Sequence, residues 1–294
     1  LLSICRFTSL SFSSMIDTKS SFYFCVCLAL KINVQKKGYF MLKIILSPAK
    51  KMNVYDEYPC ELTVPVFLDK TNILMELLKE QSLSDLQKLW QCSDKLAQEN
   101  YQRLHTYHLS QNMTPALLAY EGIQYQYISP SVFSDMQWEY VNRHLKILSG
   151  FYGILRPTDG VIPYRLEMQA KLKTNTFQGL YAFWGSSLYE ELSREGTDEI
   201  INLASAEYSK AVLPYIPPHI HCVTCIFGEM INGKVKVKAT QAKMARGEMV
   251  RWMSEKQVTT SGDLTGFSSL SYHYRPELST PEELVFIKEK HPSL

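Results

Sequence analysis

Residues 234–256, KVKVKATQAKMARGEMVRWMSEK, change their apolar period part-way, and few folds accommodate both halves. The opening alternates Lys with Val, which predicts a strand with one dry face and one cationic face. Asn232-Gly233 just before it is a pair favoured in two-residue hairpin turns, so residues 222–231 are the expected partner strand. The second half reads at 3.6 residues per turn. Lys243, Arg246, Gly247, Val250 and Arg251 then share one side, while Ala245, Met249, Trp252 and Met253 lie roughly opposite. A hairpin feeding such a helix requires a sheet and a core for the helix to cover. The run holds seven basic residues against two acidic ones, so the other helix face is expected to be cationic. Many basic faces are merely solvated. Gly247 argues for more, because glycine there costs roughly 1 kcal/mol relative to Ala; the expectation is a ligand approaching the backbone.

The 294 residues are 46% hydrophobic and 20% charged, which is enough apolar chain for a substantial core, in one large domain or two modest ones. Of 31 basic and 29 acidic residues, five and one fall within the first forty, so the remainder holds 26 and 28, a net of −2. Any anion site must therefore arise from local clustering. Residues 1–40 are rich in Ser, Phe and Cys without an amphipathic period, and their apolar run at 22–30 is too short to span a bilayer. Met41 opens a strand at 42–46, so residues 1–40 are expected to be a poorly packing leader and 41–294 a single domain. Cys60, Cys92, Cys222 and Cys225 are too scattered for a disulfide framework, which points to a reducing cytoplasm. A lone CxxC at 222–225 on a strand puts its thiols on opposite faces, so neither a metal nor a cofactor is expected.

Ser47-Pro-Ala-Lys50-Lys51 follows the first strand, where open α/β sheets place ligands. Helices are expected at 69–79, 82–90 and 93–107, a strand at 116–120, and helices at 135–146 and 181–194. Residues 149–168 form a shaped loop with Arg156, Arg165 and Glu167, and Lys171 just beyond. Residues 201–212, INLASAEYSKAV, read as strand, turn and helix. Asn202 stands near the strand end, Ser205 is a natural N-cap, and Glu207 and Tyr208 occupy the first helical turn. Strands are expected again at 270–274 and 284–287. The whole is an α/β fold with a mixed sheet surrounded by helices.

SPAK at 47–50, LSGFYGILRP at 148–157, PYRLEM at 163–168, FWG at 183–185, INLASAEY at 201–208, AKMARG at 242–247 and SYHYRPELSTPEELVF at 271–286 together resemble the peroxide stress protein YaaA family. The resemblance runs from Met41 to about Lys288. It implies a single α/β domain with a positively charged cleft and a helix-hairpin-helix-like element. It also implies DNA binding, a role in the hydrogen peroxide response, and low levels of unincorporated iron. Residues 82–103 or 148–157 are the two places for the helix-hairpin-helix, which would grip DNA backbone without reading sequence.

Three functions follow as expectations. A DNA-binding protein would contact phosphates with Lys50, Arg156, Arg165, Lys171, Lys243, Arg246 and Arg251. An enzyme acting on a small anionic or nucleotide-like substrate would use Glu167 and Glu207 as acid–base groups, with Asn202, Ser205 and Tyr208 completing a polar pocket. Direct iron sequestration is the weakest reading, because no spacing of His and carboxylates resembles a ligand set.

Overall fold

The computed structural model describes residues 40–289. β1 (Leu42–Leu46) is buried along its whole length and is an interior strand of a mixed sheet. Two short pairs lie outside that sheet: β2 (Lys51–Met52) with β4 (Tyr120–Glu121), and β3 (Thr114–Pro115) with β7 (Gly160–Val161). The main sheet continues with β5 (Leu145–Ser149), β6 (Gly153–Leu155), β8 (Glu199–Asn202), β9 (His221–Ile231), β10 (Lys234–Lys236), β11 (Tyr272–Tyr274) and β12 (Glu283–Lys288). Its order is β11-β12-β9-β8-β1-β5-β6, with β10 hairpinned onto β9. The five central strands run parallel, and β6, β10 and β11 are antiparallel additions.

Parallel strands need helical crossovers, which bury both sheet faces. The apolar runs KIIL, KILS and EIIN in β1, β5 and β8 fit that demand. Chain leaves β1 toward β5 on one side, and leaves β8 toward β9 on the other. The crevice at the carboxyl ends of β1 and β8 is thus a topological switch point, where open α/β sheets bind ligands. Among the described residues no helix is long and apolar enough to cross a membrane.

The expected hairpin is present. Asn232 and Gly233 both have positive φ, 52° and 72°, as a two-residue primed turn requires. The helix that follows, Ala239–Lys256, is the longest in the described residues. Four expectations change. Residues 116–119 form a helical turn instead of a strand, because the Ala116 and Leu117 amides bond Asp159 and Pro157 carbonyls while Ala and Leu favour the helix. The helix from Asp135 stops at His144, since Leu145 and Lys146 pair with β1. The helix expected at 181–194 breaks into Leu180–Trp184 and Ser187–Ser193 at Gly185, whose φ is 50°. The helix after Ser205 is a single turn, Ala206–Ser209. Of the expected leader, residues 1–40, all but Phe40 lie outside the described residues.

Candidate functional site: a cleft at the carboxyl ends of β1 and β8

Ser47 follows β1 directly and Ser205 comes three residues after the end of β8, and they tie the two strand ends together. The Ser205 amide donates to Ser47 Oγ at 2.8 Å, and the two hydroxyls lie 3.2 Å apart. The Ser47 carbonyl accepts from Gln124 Nε2 at 3.1 Å and from Tyr125 Oη at 3.0 Å. Both come from the short helix Ile123–Ile128, which packs against the long helix Ala239–Lys256. The Ser47 hydroxyl and carbonyl are therefore both engaged.

Gly247 explains how close that packing is. A Cβ on Gly247 would collide with the Gln124 carbonyl oxygen. This corrects the expectation of a ligand at this glycine: a neighbouring helix backbone fills the space. Val250 and Ser254 are buried together with Gly247, so only the amino-terminal half of the supposed cationic face remains a face.

Above the floor lies a cleft of about 390 Å³, lined among others by Lys50, Lys51, Arg165, Lys243, Arg246, Glu121, Glu167 and Glu207. Five cations thus meet three carboxylates. Lys50 bonds Glu167 at 2.7 Å, Lys51 bonds Glu121 at 2.7 Å, and Arg165 approaches Glu167 at 3.8 Å. Arg246 has no carboxylate partner among the described residues, and burial pushes its pKa down. Arg165 Nε and Arg246 Nε are both buried without an acceptor. Each missing bond costs about 1–3 kcal/mol, or more for a charged group.

Glu207 belongs to the same cleft. Burial, the largest cause, pushes its pKa above the ordinary carboxylate value, and the Glu167 charge adds to this; the Gln169 amide, 3.2 Å from Glu207 Oε1, and Lys50 act in the opposite direction. Behind it stands a run of buried hydroxyls. Tyr164 Oη is 2.8 Å from Tyr120 Oη and 2.6 Å from Ser149 Oγ. Burial pushes Tyr164 up to about 12 and raises Tyr208 further still, so these phenols stay neutral.

Of the residues singled out from sequence, Lys50, Arg165, Glu167, Ser205, Glu207, Tyr208, Lys243 and Arg246 line this one cleft. The other four lie outside its lining. Arg156 Nε bonds Asp159 at 3.0 Å and Arg156 Nη2 bonds the Val64 carbonyl at 3.0 Å, which locks a turn. Arg251 Nε pairs along its helix with Glu255 at 2.9 Å. Lys171 is exposed. Asn202 turns away from the cleft: it donates to Thr224 Oγ1 at 3.2 Å and accepts from the Ala204 amide at 3.0 Å. Sequence reasoning missed Gln124, Tyr125, Tyr164 and Glu121. Tyr164 carried a signal, as the neighbour of Arg165 in PYRLEM; the others sit on elements without periodicity.

The sequence profile of the peroxide stress protein YaaA family matches residues 42–278. This chain belongs to the peroxide stress protein YaaA family. A UPF0246 protein of Pediococcus pentosaceus is 50% identical over 249 residues, which cover 85% of this chain and 99% of that protein. A UPF0246 protein of Desulfitobacterium hafniense is 48% identical over 247 residues, covering 84% of this chain and 98% of that protein. One from Lactiplantibacillus plantarum is 47% identical over 247 residues, covering 84% and 99%. The family match spans the cleft, the long helix and every strand of the main sheet except β12. YaaA family membership places the protein among those of the oxidative stress response.

The two locations considered for a helix-hairpin-helix differ in structure. Residues 148–157 contain the antiparallel β5–β6 hairpin, so they are not helical. Helices Leu83–Trp90 and Asp94–Thr106 are joined by Gln91-Cys92-Ser93, with Gln91 at φ 46°. Among the described residues no group of three His, Cys, Asp or Glu converges as metal ligands would.

Proposed function

We propose that the protein binds DNA along its phosphate backbone in this cleft, as part of the response to hydrogen peroxide and the limiting of unincorporated iron. One observation carries the reading: Arg165 and Arg246 converge on the cleft, each with a buried Nε–H lacking an acceptor. A phosphate oxygen is an acceptor of the right charge for these two guanidinium groups, and Arg246 has no carboxylate partner among the described residues. Lys50 and Lys243 add charge at the rim. The paired helices 83–90 and 94–106 are the candidate helix-hairpin-helix. Arg165 Nη2 reaches the Trp90 carbonyl at the end of the first helix, 3.5 Å away, which ties that pair to the cleft wall.

Fluorescence anisotropy of labelled duplex and single-stranded DNA over a salt series tests this. Contacts to two or three phosphates give a log–log salt slope of about −2 to −3. Lys243→Ala should make that slope shallower by about 1, with little sequence preference. Binding indifferent to salt, or no binding, overturns the reading. The second reading, an enzyme acting on a small anionic or nucleotide-like substrate, rests on Glu207 with its raised pKa beside the cations. It predicts that Glu207→Gln abolishes turnover, whereas backbone binding should tolerate that change.

A further inference from the structure

Lys146, the second residue of β5, pairs in register with Ile45, so its side chain emerges on the sheet face that also carries Lys43. The residue is 5% exposed. Three carboxylates stand around it, and each is already claimed by another cation. Glu195 bonds Lys43 Nζ at 2.8 Å, and Arg194 Nη2 lies 2.7 Å from Glu191 Oε2. Asp159 Oδ1 accepts from Arg156 Nε at 3.0 Å and from Thr63 Oγ1 at 2.6 Å. Lys146 Nζ itself has no hydrogen bond or ion pair among the described residues. An ammonium there would be a fourth cation beside three carboxylates already matched. A guanidinium would have to stay charged, but an amine can release its proton. Burial is the largest influence pushing the Lys146 pKa down; the Lys43 and Arg156 charges add to it, and Glu195 and Asp159 act against it. The surroundings thus favour a neutral, nucleophilic amine.

The amine borders a small pocket lined by Val66, Ile154, Leu155, Arg156, Asp159 and Glu191. None of these residues lines the cleft at the carboxyl ends of β1 and β8. The room is about 10 Å³, which admits roughly one group of water-sized cross-section. Val66 and the Arg156 side chain reach solvent at its mouth, 37% and 41% exposed. Walls of Val, Ile and Leu admit a small uncharged reagent more readily than an ion. Arg156 uses Nε and Nη2 on Asp159 and the Val64 carbonyl, and its Nη1 has no protein partner among the described residues.

We propose that Lys146 is a modification site for carbon dioxide, captured by its amine as a carbamate. The Nζ lone pair forms a bond to the CO2 carbon. One C=O π bond breaks, its electron pair passes to oxygen, and a proton leaves Nζ for water at the mouth. No oxidant or reductant is consumed. CO2 is narrow and uncharged, as the pocket requires. Either charge at this point unbalances the cluster, but an anion has a free donor in Arg156 Nη1, whereas a cation has no unclaimed carboxylate. An aldehyde of similar size gives a protonated imine, a cation, and is disfavoured on that ground.

The test equilibrates the full chain with ¹³C-labelled hydrogencarbonate and CO2 at fixed pH and follows it by ¹³C NMR, for wild type, Lys146→Met and Lys146→Arg. Wild type should show a carbamate carbon whose intensity rises with CO2 towards one per chain, and both variants should lose it. Trapping with triethyloxonium and peptide mass spectrometry should place an ethylated carbamate on Lys146 of the wild type, which locates the site even if a variant fails to fold. Lys146→Met should melt close to wild type in CO2-free buffer, and should lack the rise in melting temperature that CO2 gives wild type. Absence of a carbamate resonance, its persistence in folded Lys146→Met, or trapped label on other amines alone overturns the proposal. A shifted hydrogencarbonate signal without a trapped N–C bond would assign the pocket to the ion and overturn the proposal as well.

Discussion

Two buried cations on opposite ends of the sheet are treated differently. Lys43, in β1, is 0% exposed and fully engaged: its Nζ donates to Glu195 at 2.8 Å and to the Arg143 carbonyl at 2.9 Å. The hydrogen bond from Lys43, reinforced by its charge, also holds the Glu195 carboxyl below its ordinary range. Arg246, near the carboxyl ends of the strands, is largely buried, has no carboxylate partner, and keeps an Nε–H unmatched. Burying a charge without partners is costly, so folding alone does not favour Arg246 in this position. On the proposed reading, the difference separates a cation that holds the fold from one that serves DNA binding. Arg165, with its own unmatched Nε–H at 12% side-chain exposure, belongs with Arg246.

The comparison can be broken or sharpened in four ways, in decreasing order of effect. Gly247→Ala drives a methyl into the Gln124 carbonyl, and should cost about 3 kcal/mol in urea unfolding and displace Arg246 as well. Lys43→Met should lower stability by roughly 2 kcal/mol, since it strips the Arg143 carbonyl of its donor, while anion binding by the remaining folded protein is unchanged. Arg246→Met should do the reverse: within about 1 kcal/mol in stability, yet at least about tenfold weaker in DNA binding by anisotropy. If Arg246→Met destabilises as much as Lys43→Met, the two cations are alike and the distinction fails.

Glu207 gives the smallest effect, in pH dependence. Its pKa is raised in the folded state, so the stability linked to its proton is fully present below the unfolded value and is lost as pH rises through the folded value. Protonation also removes a negative charge from the cleft. Affinity for DNA should therefore rise a few-fold as pH falls through the raised folded-state value, beyond the change seen in Glu207→Gln. Identical pH profiles for the two proteins would remove Glu207 from the cleft's electrostatics.

Where sequence reading succeeded, a local pattern carried the structure. Asn232-Gly233 between alternating strands was sufficient for the β9–β10 hairpin, and the apolar run 42–46 for the central strand. It failed where a distant segment decided. Gly247 reads as an open approach because nothing local announces that residues 123–128 form a helix pressed against it. Leu145 and Lys146 read as helix because their pairing with Ile44 and Ile45 lies a hundred residues away. The cations teach the same lesson with a signal that was available. Arg156 and Arg251 each have a carboxylate three or four residues later, Asp159 and Glu255, and the structure pairs them. Lys243 and Arg246 have Gly247 and Val250 four residues on, and both remain for the cleft.

The most direct measurement is of the arginine Nε–H groups themselves, by ¹H–¹⁵N NMR during titration with duplex DNA, with Arg165→Lys and Arg246→Lys assigning the signals. If the unmatched bonds are there for phosphate, the Arg165 and Arg246 resonances shift on binding while those of Arg143 and Arg251 stay in place. DNA that binds without moving either signal would contradict a cleft built around those two unmade bonds.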